Sequence, residues 1–173
     1  MDKEIRKKLK SRAIQMAKEP EQRRDIYFKT DVVVFSLASE NYAVESSFVR
    51  EVYPLRDYTE LPGSPAFIFG IINLRGEIIP VVDLKKFFNL PEKGLGDLNR
   101  VIILHNEMMK FGILADLVQG TQPVDPEDIL PSPSAVSDIG EEYLKGVTKE
   151  RLIVLDAEKL LSDKRIVVNQ EVE

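Results

Sequence analysis

Arg75 is the side chain whose setting points most directly to chemistry. It lies in the turn Asn73-Leu74-Arg75-Gly76 between two apolar runs, residues 67–72 and 78–82. A guanidinium held in a tight turn is always charged and is shaped to fork onto a carboxylate, which is the chemistry of recognition. Groups that make and break bonds are sparse. The chain has one histidine and no cysteine, so a thiolate nucleophile, a disulfide framework and a thiolate metal site are excluded. His105 ends the apolar run 101–104 beside Asn106 and Glu107 and reads as a turn residue. Asp83 and Asp156 each follow a buried run and precede a helical-looking stretch, the position of an N-cap, and a turn role accounts for Asp116. No acid pair shows metal-ligand spacing, and Gly94-Leu95-Gly96 is too short for a phosphate loop and lacks a following Lys-Ser/Thr. These residues predict no enzyme, no metal and no cofactor.

The elements that must position Arg75 are strands. Runs this short, rich in Ile and Val and bounded by Gly and Pro, are the pattern of strands buried on both faces. Further β-rich segments fall at 32–37, 42–44, 47–53, 101–104, 111–118 and 152–155, with turn clusters between them, the spacing of sandwiches or small barrels. Shifting the chain by 69 positions lays Tyr42-Ala43-Val44 on Phe111-Gly112-Ile113, Val49 on Val118, and Leu61-Pro62 on Leu130-Pro131. With slight slippage, residues 81–88 align with 154–161. This predicts two copies of one small β unit, each so small that it must pack on the other. The expected borders are a first unit at 31–90 and a second at 98–161, followed by a tail at 162–173. Sequence leaves open whether strands cross between the units. Residues 90–99, with Pro91, Gly94 and Gly96, read as the exposed connection, and the prolines in 122–137 make that stretch a loop. Residues 2–18 predict a helix with a narrow stripe of Ile5, Leu9, Ala13, Met16 and Ala17, ended by Pro20. Residues 1–30 form an N-terminal helical extension and linker.

Bulk properties fit an ordinary globular domain: 173 residues, 43% apolar and 31% charged. No apolar stretch approaches the ~18–20 residues of a membrane span, which predicts no direct membrane insertion. The net charge of −5 is uneven. Residues 1–30 hold ten basic and five acidic side chains, a net of +5, and the remainder 14 basic against 24 acidic, a net of −10. A β region that acidic argues against nucleic acid, whose binding rests on neutralising phosphates.

The stretch P-x-F-I-x-G-I-I-N-L-R-G-x-I-I-P-V-V-D-L, ending at Leu84, resembles the signature of the CheW family, the bacterial chemotaxis coupling proteins. Agreement continues in Val49-Arg50-Glu51-Val52, Leu61-Pro62, Pro131-Ser132-Pro133, Tyr143-Leu144-Lys145-Gly146-Val147 and Leu155-Asp156, covering residues 31–161; the N-terminal extension is a departure. The resemblance implies a mostly β fold of two five-stranded, SH3-like barrels with short helices, packed on a shared interface. It implies a non-enzymatic adaptor, cytoplasmic and associated with receptor arrays, coupling methyl-accepting chemoreceptors to a CheA-type histidine kinase. The residues it implicates in clasping the receptor's hairpin tip are Val49, Glu51, Val52, Leu74 and Arg75, with Glu51 as partner of Arg75. Those it implicates in docking the kinase regulatory domain are Leu61, Pro62, Gly70 and Gly76, with the loop 134–139 as a second contact. Each has a plainer reading: core for the valines and Leu74, backbone geometry for the glycines. The rival functions are a paralogous motility system, such as type IV pilus or gliding, and a small-barrel nucleic-acid binder or enzyme.

Overall fold

Ten strands are described, of which Thr30–Leu37, Glu77–Val82, Arg100–His105, Lys110–Ala115 and Ile153–Leu155 carry continuous buried runs, whereas Val49–Pro54 and Leu117–Val124 are largely half-buried or exposed. The computed structural model describes residues 29–92, 94–131 and 142–166. The expected helix at 2–18 and the loop at 134–139 lie outside them. One five-stranded sheet is built from β1 (Thr30–Leu37), β2 (Glu40–Glu45), β8 (Leu117–Val124), β9 (Leu144–Val147) and β10 (Ile153–Leu155), in the order β8-β1-β2-β10-β9. The other holds β3 (Val49–Pro54), β4 (Ile68–Leu74), β5 (Glu77–Val82), β6 (Arg100–His105) and β7 (Lys110–Ala115), in the order β3-β6-β7-β5-β4. Pairing is antiparallel except where β2 meets β10 and β5 meets β7.

The two sheet orders superimpose when each strand is exchanged for the one five places away in the chain, β1 and β2 for β6 and β7 and β8, β9 and β10 for β3, β4 and β5, as the repeat requires. The strands cross, however. The first sheet takes β1 and β2 from the first copy and β8, β9 and β10 from the second, while the second sheet takes the complement. Each sheet is therefore made by both copies, and its membership does not follow the 31–90 and 98–161 borders. The repeat extends to local detail. The chain leaving β3 bridges to β4 at Thr59↔Ile71, and the chain leaving β8 bridges to β9 at Leu130↔Val147, linking the edge strands of each sheet. Beside each bridge stands a glycine, because the partner backbone comes too close for a side chain. A Cβ on Gly70 would lie 2.5 Å from the Thr59 carbonyl oxygen, and one on Gly146 2.2 Å from that of Leu130.

Period-2 alternation divides the apolar residues among three clusters. Val32 and Val34 of β1 fill the first sheet's interior with Ala43, Val124, Leu152 and Val154. Val101 and Ile103 of β6 fill the second with Ile72, Leu74, Ile79, Val81 and Leu114. The intervening residues form the largest cluster, where Phe35, Leu37, Tyr42 and Val44 from one sheet meet Ile102, Leu104, Phe111 and Ile113 from the other. Each such side chain stabilises by about 1.5–3 kcal/mol when fully buried, so the contact between sheets is a core in its own right.

Short helices close each copy. Asp83 caps α1 (Leu84–Phe87), accepting from the Lys85 amide at 3.0 Å, and Asp156 caps α2 (Ala157–Leu161), accepting from the Lys159 amide at 3.1 Å. Burial pushes the Asp83 carboxyl up, against the downward pull of Lys85 and the cap bonds. The packed chain runs on past 161. Asp163 accepts from the Tyr143 hydroxyl, the Arg165 guanidinium lies 4.6 Å from the centre of the Phe87 ring, and Ile166 is fully buried. No described helix is long and apolar enough to cross a membrane.

Candidate docking surface

The β4–β5 hairpin turns through Arg75 and Gly76, whose φ angles of +52° and +87° follow the type I′ pattern suited to a two-residue loop. Asn73 steadies the turn, its Oδ1 accepting from the Gly76 amide at 2.8 Å. Glycine meets that backbone demand at Gly76. Arg75 meets it against the preference of an L side chain, a cost of roughly 1–2 kcal/mol. The return is direction: Arg75 Nη2 donates to Glu51 Oε2 at 3.0 Å, with the arginine side chain 72% exposed and the glutamate 23%. The structure thus brings together the two residues that sequence paired.

Glu51 reaches that position because β3 is bulged. Val49 pairs with Leu104 but Glu51 with Ile103, leaving Arg50 as the extra residue. Leu104 faces the core between the sheets and Ile103 faces the second sheet's interior. The bulge therefore re-aims Glu51 to the side away from Val49 and returns Val52, opposite Ile102, to the Val49 side. Without it, regular alternation would place Glu51 with Val49 and Val52 opposite. Val49 packs half-buried against the core between the sheets, and Val52 is 39% exposed. The bulged Arg50 joins a second ion network: Glu77 accepts from Arg50 at 3.2 Å and from Lys110 at 2.6 Å. The Lys110 bond, with help from Arg50, holds the Glu77 carboxyl below its usual range. Glu51 Oε1 is buried and has no hydrogen-bond partner among the described residues.

The remaining expected residues are placed less uniformly. Leu74 is 4% exposed and belongs to the second sheet's interior, since alternation along β4 turns residues 72 and 74 inward. Leu61 is half-buried against the core between the sheets, and Pro62 is exposed. Their turn is closed by Ser64, whose amide and hydroxyl both donate to the Leu61 carbonyl. Gly70 is covered by the Thr59 carbonyl, whereas Gly76 shares the Arg75 turn. The structure does not gather these four into one patch.

Sequence reasoning missed a buried ion pair beyond the far end of β5. Lys85 Nζ lies 2.6 Å from Asp116 Oδ1, with the two side chains 3% and 14% exposed. Asp116 Oδ2 accepts from the Ala38 amide at 2.8 Å, and the Asp116 amide donates to the Ser36 carbonyl at 3.0 Å. Asp116 is the single residue between β7 and β8, where the chain passes from one sheet to the other. The pair ties α1 to that crossing and to the β1–β2 turn. Nothing local marks Lys85 as buried; it stands beside Lys86, which is exposed. Among the described residues, no group of three or more His, Cys, Asp or Glu side chains is arranged to hold a metal ion.

Comparison with known proteins matches residues 31–165 to the CheW-like domain. The Chemotaxis protein CheW of Treponema pallidum (strain Nichols) is 39% identical over 142 residues, covering 78% of this chain and 84% of its own. Protein FrzA of Myxococcus xanthus is 33% identical over 136 residues, covering 76% and 84%. The crystal structure of the scaffolding protein TtCheW from Thermoanaerobacter tengcongensis superimposes with a TM-score of 0.66 at 38% identity, over 73% of this chain and 84% of that one.

Proposed function

This chain belongs to the CheW-like domain family of chemotaxis scaffolding adaptors, which are not enzymes, and from that premise we propose that it couples methyl-accepting chemoreceptors to a CheA-type histidine kinase. The observation that carries the reading is the surface on β3 and the β4–β5 turn. Two separate backbone distortions, the bulge at Arg50 and the positive φ of Arg75, bring Glu51 and Arg75 together on one side of the edge strand β3, whose other side carries Val49 and Val52. An exposed ion pair contributes only ~0–1 kcal/mol to folding. Stability alone is a poor reason for a bulged strand and a strained turn, and a fixed charge on the same edge strand as an apolar strip is a good means of fixing a helical partner's register.

In this reading the receptor's hairpin tip lays an apolar face on Val49 and Val52 and meets the Arg75–Glu51 pair. Leu74 supports the turn from within. The kinase regulatory domain docks at Leu61 and Pro62, whose segment is held to β4 by the bridge at Thr59, with Gly70 giving the bridge its room. Gly76 acts through the conformation of the turn. The adaptor reaches receptor arrays at the membrane through its partner and not by insertion. Coupling requires each partner's binding to distinguish the on and off states, because a ligand indifferent to both shifts nothing.

The test is size-exclusion chromatography and calorimetry of the full chain with a CheA-type regulatory domain and, separately, with a receptor hairpin fragment. A complex with each at ~µM dissociation constants is expected. Failure to bind either at tenfold higher concentration overturns the assignment.

A further inference from the structure

Charged side chains gather at one end of the second sheet, on the face that elsewhere forms its interior. Glu77 opens β5 on the face that carries Ile79 and Val81, and Lys110 opens β7 on the face that carries Leu114. Because β5 and β7 run parallel, both residues stand at the same end. Glu51 joins them from β3, opposite the interior residue Ile103. The β4–β5 turn lies at this end as well. It therefore holds two guanidiniums, Arg50 and Arg75, and two carboxylates, Glu51 and Glu77, joined in ion pairs between β3 and the hairpin.

The pairing among these four groups is crosswise. Arg50 and Glu51 are neighbours in the chain, yet each reaches across to the hairpin: Arg50 Nη1 donates to Glu77 Oε2 at 3.2 Å, and Glu51 Oε2 accepts from Arg75 Nη2 at 3.0 Å. The bulge adds Arg50 beside Glu51 without a strand partner of its own, so the Glu51 carboxylate is the next acceptor available to the Arg50 guanidinium. Glu77 is anchored from the far side, where its Oε1 accepts from Lys110 Nζ at 2.6 Å. The Lys110 bond, joined by Arg50, keeps the Glu77 carboxyl ionised. Both of its oxygens are thus engaged, and Arg75 falls to Glu51.

We infer that Glu77 is a positioning residue for the docking surface: by engaging Arg50 it reserves Glu51 for Arg75, and so orients the guanidinium that the receptor hairpin meets. This role rests on the docking proposed at Arg75. With a neutral side chain at position 77, Arg50 turns to the adjacent Glu51 carboxylate and Arg75 loses its orientation. Exposed ion pairs contribute little to folding, so the pairing changes while the fold stays.

The full-chain variants Glu77→Gln, Arg50→Gln/Glu77→Gln and Glu77→Gln/Lys110→Gln test this. Both double variants restore the net charge that the single one changes, but only the first removes the competing guanidinium. In arginine side-chain NMR without a partner, hindered rotation of the Arg75 guanidinium is expected in the unaltered chain and lost in Glu77→Gln. It should return in Arg50→Gln/Glu77→Gln and stay lost in Glu77→Gln/Lys110→Gln. Calorimetry against the receptor hairpin fragment should follow the same order. Affinity falls about fivefold in Glu77→Gln, recovers to within about twofold when Arg50 is also replaced, and stays low when Lys110 is replaced instead. An Arg75 signal unmoved by Glu77→Gln, equal rescue by both double variants, or affinities that do not track that signal overturn the proposal. An Arg75 that responds as expected in a chain that binds no fragment, altered or not, refutes the receptor reading and upholds the pairing that Glu77 sets. Circular dichroism checks that each variant folds.

Discussion

Replacing Asp116 by alanine should damage this protein more than any change on the docking surface. Its carboxylate faces a Lys85 ammonium that is 3% exposed, at 2.6 Å, and its second oxygen serves the Ala38 amide at 2.8 Å. Removing one member of a buried ion pair costs about 3–5 kcal/mol, because the remaining charge keeps its desolvation penalty and loses the Asp116 carboxylate that offsets it. The orphaned amide adds about 1 kcal/mol. Against a typical total of about 5–15 kcal/mol, Asp116→Ala should lower the melting midpoint by about 8–24 °C. The attraction itself is smaller than this loss, since replacing both partners removes the desolvation cost together with the bond. Lys85→Met/Asp116→Asn should therefore recover most of the stability, and the double-mutant cycle should give a coupling above about 2 kcal/mol. Urea unfolding of the unaltered chain, Lys85→Met, Asp116→Asn, their double variant and Asp116→Ala, followed by circular dichroism, measures it. A loss below about 1 kcal/mol in Asp116→Ala, or strictly additive losses, would refute the reasoning.

Two further outcomes follow from the geometry. Burial pushes the Asp163 carboxyl up, but hydrogen bonds from the Tyr143 hydroxyl and the Arg165 guanidinium outweigh it and hold the group below its usual range. A carboxyl depressed in the folded state stabilises above its unfolded pKa of about 4 and loses that contribution as pH falls. Asp163→Asn should therefore flatten the decline of melting temperature below about pH 4; superimposable profiles contradict this. Gly70→Ala sets a Cβ 2.5 Å from the Thr59 carbonyl oxygen and should cost about 1–3 kcal/mol. Amide exchange at Thr59 and Ile71, which hydrogen-bond each other at 2.8 and 2.9 Å, should accelerate first, and unchanged exchange at those two amides would count against the close approach.

The residues around Arg75 were legible because local rules govern them. Two apolar runs and an intervening Arg-Gly specify a hairpin, and an aspartate between a buried run and a helix specifies a cap. The repeat was legible for the same reason, but self-similarity reports the order of strands within a copy and is silent on which copy a strand joins. That choice is made by the core between the sheets. The bulge at Arg50 left no trace in composition, so the shared side of Val49 and Val52 came from register alone. Leu74 was readable in principle, since the inward alternation of Gly70 and Ile72 continues to it. Lys85 was not, because its burial depends on Asp116, 31 positions away.

Recognition runs through a surface that can be altered without disturbing the fold. Arg75→Glu reverses the charge of a side chain 72% exposed and sets it against Glu51, so its effect on melting should stay within about 4 °C. Calorimetry of this variant against the receptor hairpin fragment and the kinase regulatory domain, beside the unaltered chain, tests the claim most directly. The prediction is an affinity for the receptor fragment at least tenfold weaker with the kinase affinity unchanged. Undiminished receptor binding, or equal loss of both, would contradict it.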